Sequence, residues 1–493
     1  MNDRAAAAEL YDEIDALIGD VGKEADARIG AWRDLIEDPD FRPSAANLAA
    51  YLSVRRRDLR ETQRRLMVLG LSSLGRLESR VMPTLAAVRA ALGALAGRDC
   101  DPAGPSEVYF AGERRLDAHA RAVLGEANER CPIAVLVTCP TEAADDPDFM
   151  LNLARRGVEA VRINCAHDDE DVWARMIGHV KAAAAESGHR MKVFMDLAGP
   201  KIRTGKVEPP KHGKKIRKGD VLAVVREGDL GRIDCDTDCF GVECTLAGAV
   251  AGAELGDRIF VDDGKLSAEV EKVQSWGLLA RVSVASEDGL KLKGEKALNF
   301  PDTDLEIDAL TEQDRSDLEF IAAHANGIEY SFVQSAKDVR LLQAALAQVR
   351  PDDWRDLALI LKIETAQAVA ALPDLIVQAA GRQPTAVMIA RGDLSVEIGF
   401  ARTAEIQEEI LWLGEAAAVP VIWATQVLED LVKTGASSRG EMTDAAMAAR
   451  ADCVMLNKGP YVMEAIDQLQ VLLRRMEDHQ HKKASMLRRL RTW

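Results

Sequence analysis

The chain has 493 residues, 47% of them hydrophobic and 29% charged, a composition typical of a soluble globular protein too long for one ordinary domain. Its formal net charge of −17 argues against non-specific nucleic-acid binding. The first residues lack a basic start followed by an apolar core, and no apolar run reaches spanning length, so no signal peptide, no membrane contact and a cytoplasmic location are expected.

Residues 1–130 read as a helical N-terminal domain, serving assembly or interaction. Leu10, Ile14, Leu17, Ile18 and Val21 recur at helical spacing, and Ser44 reads as an N-cap ahead of Leu48, Tyr51 and Leu52. Gly70, Gly75 and Pro83 mark breaks, and Asp101-Pro102-Ala103-Gly104-Pro105 is a linker. The basic run of Arg55, Arg56, Arg57, Arg60, Arg64 and Arg65 reads as a solvated helix face or a subunit contact. A homo-oligomer is expected, with no nucleic-acid partner.

From about residue 131 the pattern changes to short apolar runs alternating with amphipathic helices such as 147–156 and 169–186. The runs fall at 133–138, 159–164, 191–196, 327–332, 357–363, 386–390, 419–424 and 452–456. Eight strand–helix units predict an α/β protein built on a (β/α)₈ TIM barrel, with its chemistry at the strand ends. Between the third and fourth strands, residues 205–298 hold strand-like runs (Val221–Val225, Arg258–Val261, Leu279–Val284) and little helix. They predict an inserted β domain, placed to act as a lid, leaving 131–204 and 299–493 for the barrel. The eight cysteines read as reduced thiols; Cys235, Cys239 and Cys244 are the only cluster, short of a zinc ligand set.

Charge collects at two of the strand ends. Ile-Leu-Lys-Ile-Glu closes on Lys362 and Glu364, and Met-Ile-Ala-Arg-Gly-Asp-Leu on Arg391 and Asp393. Parallel strands are buried on both faces, so charge there belongs in a cleft. Converging Glu and Asp make a hard oxygen site suited to magnesium or manganese. Lys362 points the same way as Glu364, because side chains alternate along a strand. The combination suits an anionic, oxygen-rich substrate.

Six motifs in order then carry a resemblance: Val161-Arg162-Ile163-Asn164, the run from Met195-Asp196 to Thr204-Gly205, Val261-Asp262-Asp263-Gly264, Leu361-Lys362-Ile363-Glu364, Ala390-Arg391-Gly392-Asp393-Leu394, and Ala424-Thr425-Gln426-Val427-Leu428-Glu429. Over about 131–480 the chain resembles the pyruvate kinase family. The resemblance implies phosphoryl transfer from phosphoenolpyruvate to ADP, giving pyruvate and ATP. It implies Mg²⁺ or Mn²⁺ on Glu364 and Asp393, and Lys362 against the transferring phosphoryl group. Arg162 would bind the substrate phosphate, and the backbone of Ala390, Arg391 and Gly392 its carboxylate. Thr425 would stand near the enolate carbon. Arg130, His167 and Arg203 would face the nucleotide, and Asp263 the cleft from the inserted domain.

The departures carry their own expectations. Asn164 and Asp196 match the family's monovalent-cation site, but Ala166 stands where Ser is usual. Lys201 resembles the potassium-independent members, so K⁺ is not expected to be required. Cys139 stands in the first-strand loop where the family has Gly, and Asn457 replaces a Ser on the proton-delivery side. Only 457–493 follow the last strand, so the family's C-terminal effector domain is expected to be absent. Two alternatives stay open: another metal–enolate enzyme of phosphoenolpyruvate or an oxoacid, and a non-catalytic ligand-binding homologue.

Overall fold

The computed structural model describes residues 3–99, 101, 102, 104–126, 128, 131–210, 213–235, 238–303, 305 and 308–486. Its centre is a closed ring of eight parallel strands: β1 (Ala134–Thr138), β2 (Ala160–Asn164), β3 (Lys192–Asp196), β4 (Gly327–Tyr330), β5 (Ala358–Ile363), β6 (Thr385–Ala390), β7 (Val421–Ala424) and β8 (Cys453–Leu456). Each falls on one of the eight apolar runs. The ring closes where β1 meets β8, with Val137 opposite Leu456.

Alternation along these strands divides the apolar residues into two cores. Leu136, Phe194, Ile360, Met388, Ile422 and Met455 fill the barrel, joined by Val123 and Leu124 from the helix Ala111–Leu124. The opposite faces, with Val135, Val161, Leu359 and Val387, pack outward under the surrounding helices. Several of those helices start on a side-chain cap that satisfies an otherwise unpaired N–H: Asp169, Thr311, Ser335, Thr365 and Ser438 each accept from a first-turn amide.

The N-terminal helices share the outer core of the barrel. The helix Asp3–Trp32 buries Leu10, Ile14, Leu17 and Val21 against the helices Arg42–Arg55 and Val81–Ala96. Arg42–Arg55 in turn lies on Phe400–Ala417, the second of two helices between β6 and β7. Asn47 fastens this contact: its Nδ2 donates to the carbonyls of Glu78 at 2.7 Å and Ala416 at 2.8 Å, and its Oδ1 accepts the Val81 N–H at 2.9 Å. Ser44 does not cap this helix. The helix begins at Arg42, with Phe41 as its N-cap and Pro43 in the first turn, and Ser44 is buried inside it with its hydroxyl unpartnered. Pro43 has no N–H to satisfy, so the start shifts to the proline.

Between β3 and β4 the chain builds a seven-stranded, mostly antiparallel sheet around Leu222, Val242, Ile259, Ala268, Leu278 and Ala280. Its edge strands, Thr204–Glu208 and Leu298–Asn299, meet at their roots through the Arg203–Ala297 bridge, which gives the sheet a barrel-like form. Here the expectation of reduced thiols needs correcting: Cys235 and Cys239, the latter opening the strand Cys239–Cys244, are joined by a disulfide. Cys131, Cys139, Cys165, Cys244 and Cys453 are free and buried. No helix among the described residues is long and apolar enough to cross a membrane.

Candidate active site

Residues at the carboxyl ends of β2, β3, β4 and β5 converge on one buried charge network. Lys362 leaves β5 toward the ring interior. Its ammonium donates to Ser331 Oγ at 2.6 Å and to both oxygens of Asp196 at 3.1 and 3.2 Å. It also pairs with Glu364 Oε1 at 3.1 Å. Arg162 on β2 pairs with Asp196, donates from Nε to Glu329 Oε2 at 2.9 Å, and from Nη1 to Thr138 Oγ1 at 3.1 Å. Two cations thus face three carboxylates at the barrel mouth.

Burial and pairing pull these groups in opposite directions. For Asp196, burial opposes ionisation, but Lys362 and Arg162 overcome it and hold the carboxyl below its usual range. Burial alone would push Lys362 and Arg162 down; Asp196 with Glu364 and Glu329 keep both firmly protonated. Glu329 is fully buried, and burial pushes it up to about 7 against the pull of Arg162. Glu364 is raised by burial, and further by Asp393, against the pull of Lys362.

Glu364 and Asp393 therefore repel each other with Lys362 on one side only, an arrangement a divalent cation would relieve. Glu364 Oε2 also accepts the Phe332 N–H at 2.7 Å, which fixes the carboxylate plane. Among the described residues no group of three His, Cys, Asp or Glu side chains is placed to hold a metal. Two hard carboxylate oxygens fit Mg²⁺ or Mn²⁺, which bind through one or two carboxylates and take the remaining oxygens from water and substrate.

Asp393 lies in the first turn of the helix Arg391–Ile398, directly after β6. Arg391 is turned away from the mouth: it donates to the carbonyls of Ala424 at 2.9 Å and Thr425 at 2.6 Å, pairs with Asp444, and stacks on Trp423. Thr425 and Gln426 after β7 have φ of 63° and 55°, the left-handed region that costs a non-glycine residue about 1–2 kcal/mol. That turn carries the Thr425 hydroxyl to the Gly392 N–H, which donates to it at 2.9 Å. Thr425 and the Ala390-Arg391-Gly392 segment are thereby brought together.

The remaining expected residues are more dispersed. Asn164 Oδ1 accepts the Ala166 N–H at 3.0 Å, and its β-register neighbour is Asp196. Lys201 makes no hydrogen bond or ion pair with either residue among the described side chains. It lines instead a cavity of about 190 Å³ with Phe332, Thr365, Asp393 and Glu397, beneath the inserted sheet. Arg203 donates to the Glu295 carbonyl at 3.0 Å, at the root of that sheet. His167 is exposed beyond β2, and Arg130 lies outside the described residues. Asp263 sits exposed in a left-handed turn (φ 57°) whose next residue, Gly264, faces Val396 of the Asp393 helix.

Sequence reasoning missed Glu329, Ser331 and Glu397. The first two had a signal: a Glu inside the apolar run Gly-Ile-Glu-Tyr, with a Ser two residues on, shares one face of a strand. Glu397 is half-buried beside Asn299, and desolvation pushes it up to about 7. Nothing in its local sequence marks it.

Fold and site together define a (β/α)₈ barrel whose carboxyl face holds a buried lysine and arginine among paired carboxylates. Residues 133–466 match the family described as pyruvate kinase, barrel domain. A pyruvate kinase of Agrobacterium vitis is 32% identical over 352 residues, covering 69% of this chain and 67% of that protein. Pyruvate kinase 1 of Trypanosoma brucei brucei is 32% identical over 331 residues, covering 65% and 62%. A pyruvate kinase from Cryptosporidium parvum has the same fold, with a TM-score of 0.62 at 23% identity over 72% of each chain. The chain belongs to the pyruvate kinase family, a family of phosphotransferases. It spans about two thirds or slightly less of the length of the relatives it matches.

Proposed function

We propose that the chain transfers the phosphoryl group of phosphoenolpyruvate to ADP, giving pyruvate and ATP, with Mg²⁺ or Mn²⁺ and without a requirement for K⁺. The observation that carries this is the Lys362 ammonium, buried at the barrel mouth between Asp196 and Glu364 with Arg162 beside it. A loose phosphoryl transition state spreads negative charge over its equatorial oxygens, and fixed cations in a dry site stabilise it strongly. Lys362 and Arg162 supply that charge without reorganising, because Asp196, Ser331 and Glu329 already hold them in place.

Glu364 and Asp393 would hold the divalent cation, whose role when bound is to neutralise substrate oxygens. The amides at the start of the Asp393 helix favour an anionic carboxylate. Thr425, oriented by the Gly392 N–H, directs a proton toward the enolate carbon. Arg130, His167 and Arg203 are assigned to the nucleotide, Asp263 to the closing face of the inserted sheet, and Lys201 to the charge that K⁺ brings in other members. Residues 205–298 are assigned as the lid, residues 1–130 as a helical domain serving assembly or interaction in a homo-oligomer, and the site of action as the cytoplasm.

The test is pyruvate formation by purified full-length protein with phosphoenolpyruvate, ADP and MgCl₂, with and without KCl. Equal rates in both salts support the whole reading. Activity only with KCl keeps the phosphoryl transfer and removes the role of Lys201. Consumption of phosphoenolpyruvate without ADP, or binding without turnover, overturns the proposal.

A further inference from the structure

A cavity of about 550 Å³ opens between the helix Arg42–Arg55, the turn that follows it and the strand pair near residue 483. It lies outside the segment that matches the pyruvate kinase barrel. Arg55, Arg56, Arg57, Arg60 and Lys483 line it, against the acids Asp58 and Glu78. So dense a cluster of cations is unusual in a chain of net charge −17.

The cations are not equally engaged. Arg57 is paired with Glu24, Arg60 with Asp58, and Lys483 with Glu78. Arg55 and Arg56 have no carboxylate within 4.0 Å among the described residues. Arg55 is nonetheless held: its Nη1 donates to Tyr51 Oη at 2.9 Å, and its guanidinium stacks 4.7 Å from the centre of the Trp412 ring. Lys483 approaches the same ring at 4.9 Å. An arginine fixed on an aromatic plane keeps its remaining donors oriented, so it loses little freedom when it meets an anion.

We propose that this cavity is a binding site for a small ligand bearing a dianionic phosphate group, with Arg55 and Arg56 as its principal contacts. Guanidinium forks match phosphate oxygens in pairs. The site is concave and sized for a metabolite, whereas an extended nucleic acid is bound along a basic groove or stripe.

The test is equilibrium dialysis of ³²P-orthophosphate against the full-length protein at low ionic strength, for wild type, Arg56→Gln, and the double variant Arg55→Gln/Arg56→Gln. Both arginines are exposed, so the variants retain the fold, checked by circular dichroism. The label that the double variant still binds belongs to the barrel-mouth site, and the difference from wild type counts the second site. The expected result is one phosphate per chain that wild type binds and the double variant does not. Its affinity falls about tenfold or more in Arg56→Gln, and its binding disappears in the double variant. Glycerol 3-phosphate competing at lower concentration than orthophosphate identifies a phosphomonoester ligand. Equal phosphate binding by wild type and the double variant overturns the proposal, as does a site that takes up an oligonucleotide and not phosphate. Failure of phosphoenolpyruvate with MgCl₂ to displace the label that the double variant retains counts against the catalytic proposal instead.

Discussion

Replacing Lys362 with methionine removes the ammonium while keeping an unbranched chain of similar length in the barrel. The ammonium has three charge contacts at 3.1–3.2 Å, two to Asp196 and one to Glu364. Removing a fixed cation from a phosphoryl-transfer site costs about 10³–10⁵-fold in rate, or roughly 4–7 kcal/mol at 1.36 kcal/mol per tenfold. The fold should suffer far less. Asp196 keeps Arg162, and Glu364, already raised by burial, can take up a proton and remain neutral. We expect a loss of about 1–3 kcal/mol, the cost of leaving hydrogen-bonding groups such as Ser331 short of a partner. The assay is kcat for pyruvate formation at saturating phosphoenolpyruvate and ADP, with urea unfolding measured in parallel. A kcat within tenfold of wild type in a folded variant would refute the role given to Lys362.

Three other outcomes are expected. Thr425→Ala should lower kcat about 10²-fold with little change in KM, and Thr425→Ser should restore most of it; equal kcat in all three would remove the hydroxyl from the chemistry. Asn47→Ala leaves the Glu78 and Ala416 carbonyls and the Val81 N–H unpaired, and should lower unfolding free energy by about 2–4 kcal/mol in urea titration. Glu159, buried and accepting the Val135 N–H at 2.7 Å, is pushed by burial from its ordinary 4.5 up to about 7. The native state then holds a proton that the unfolded chain releases, so this group's stabilisation is lost as pH rises from 4.5 to about 7. Over that window stability should fall by about 3 kcal/mol from this residue, and Glu159→Gln should flatten the fall in a series of thermal melts.

The barrel was legible because each strand is an apolar run of the length a doubly buried strand requires, and the charges that end β5 and β6 contrast with it. Lys362 and Glu364 share a face by strand alternation alone, which is why their pairing could be foreseen. Ser331 and Glu329 obey the same rule but sit beside Tyr330 in a run that reads as core. Glu397 and Asp444 come to the site from helices, where no local pattern says what a side chain will meet. Ser44 was misread because a hydroxyl ahead of an apolar stripe looks like a cap, while Pro43 sets the helix start. The docking of Asn47 on Ala416 and of Arg55 on Trp412 joins segments more than 350 residues apart, and only the folded chain brings them together.

The bond between Glu78 and Lys483 joins residues 405 positions apart. At a synthesis rate of about 5–20 residues per second, roughly 20–80 s pass between the appearance of the two on the ribosome. Through most of that interval the helical segment can collapse on itself, but Phe400–Ala417, the helix it rests on, is not yet made. Glu78, 2% exposed at the end, spends the interval without its lysine and in water. Helices born early are thus among the last to reach their final surroundings. A nascent chain arrested before residue 400 should therefore present these helices to protease as a loosely held unit, and one released after Lys483 should not.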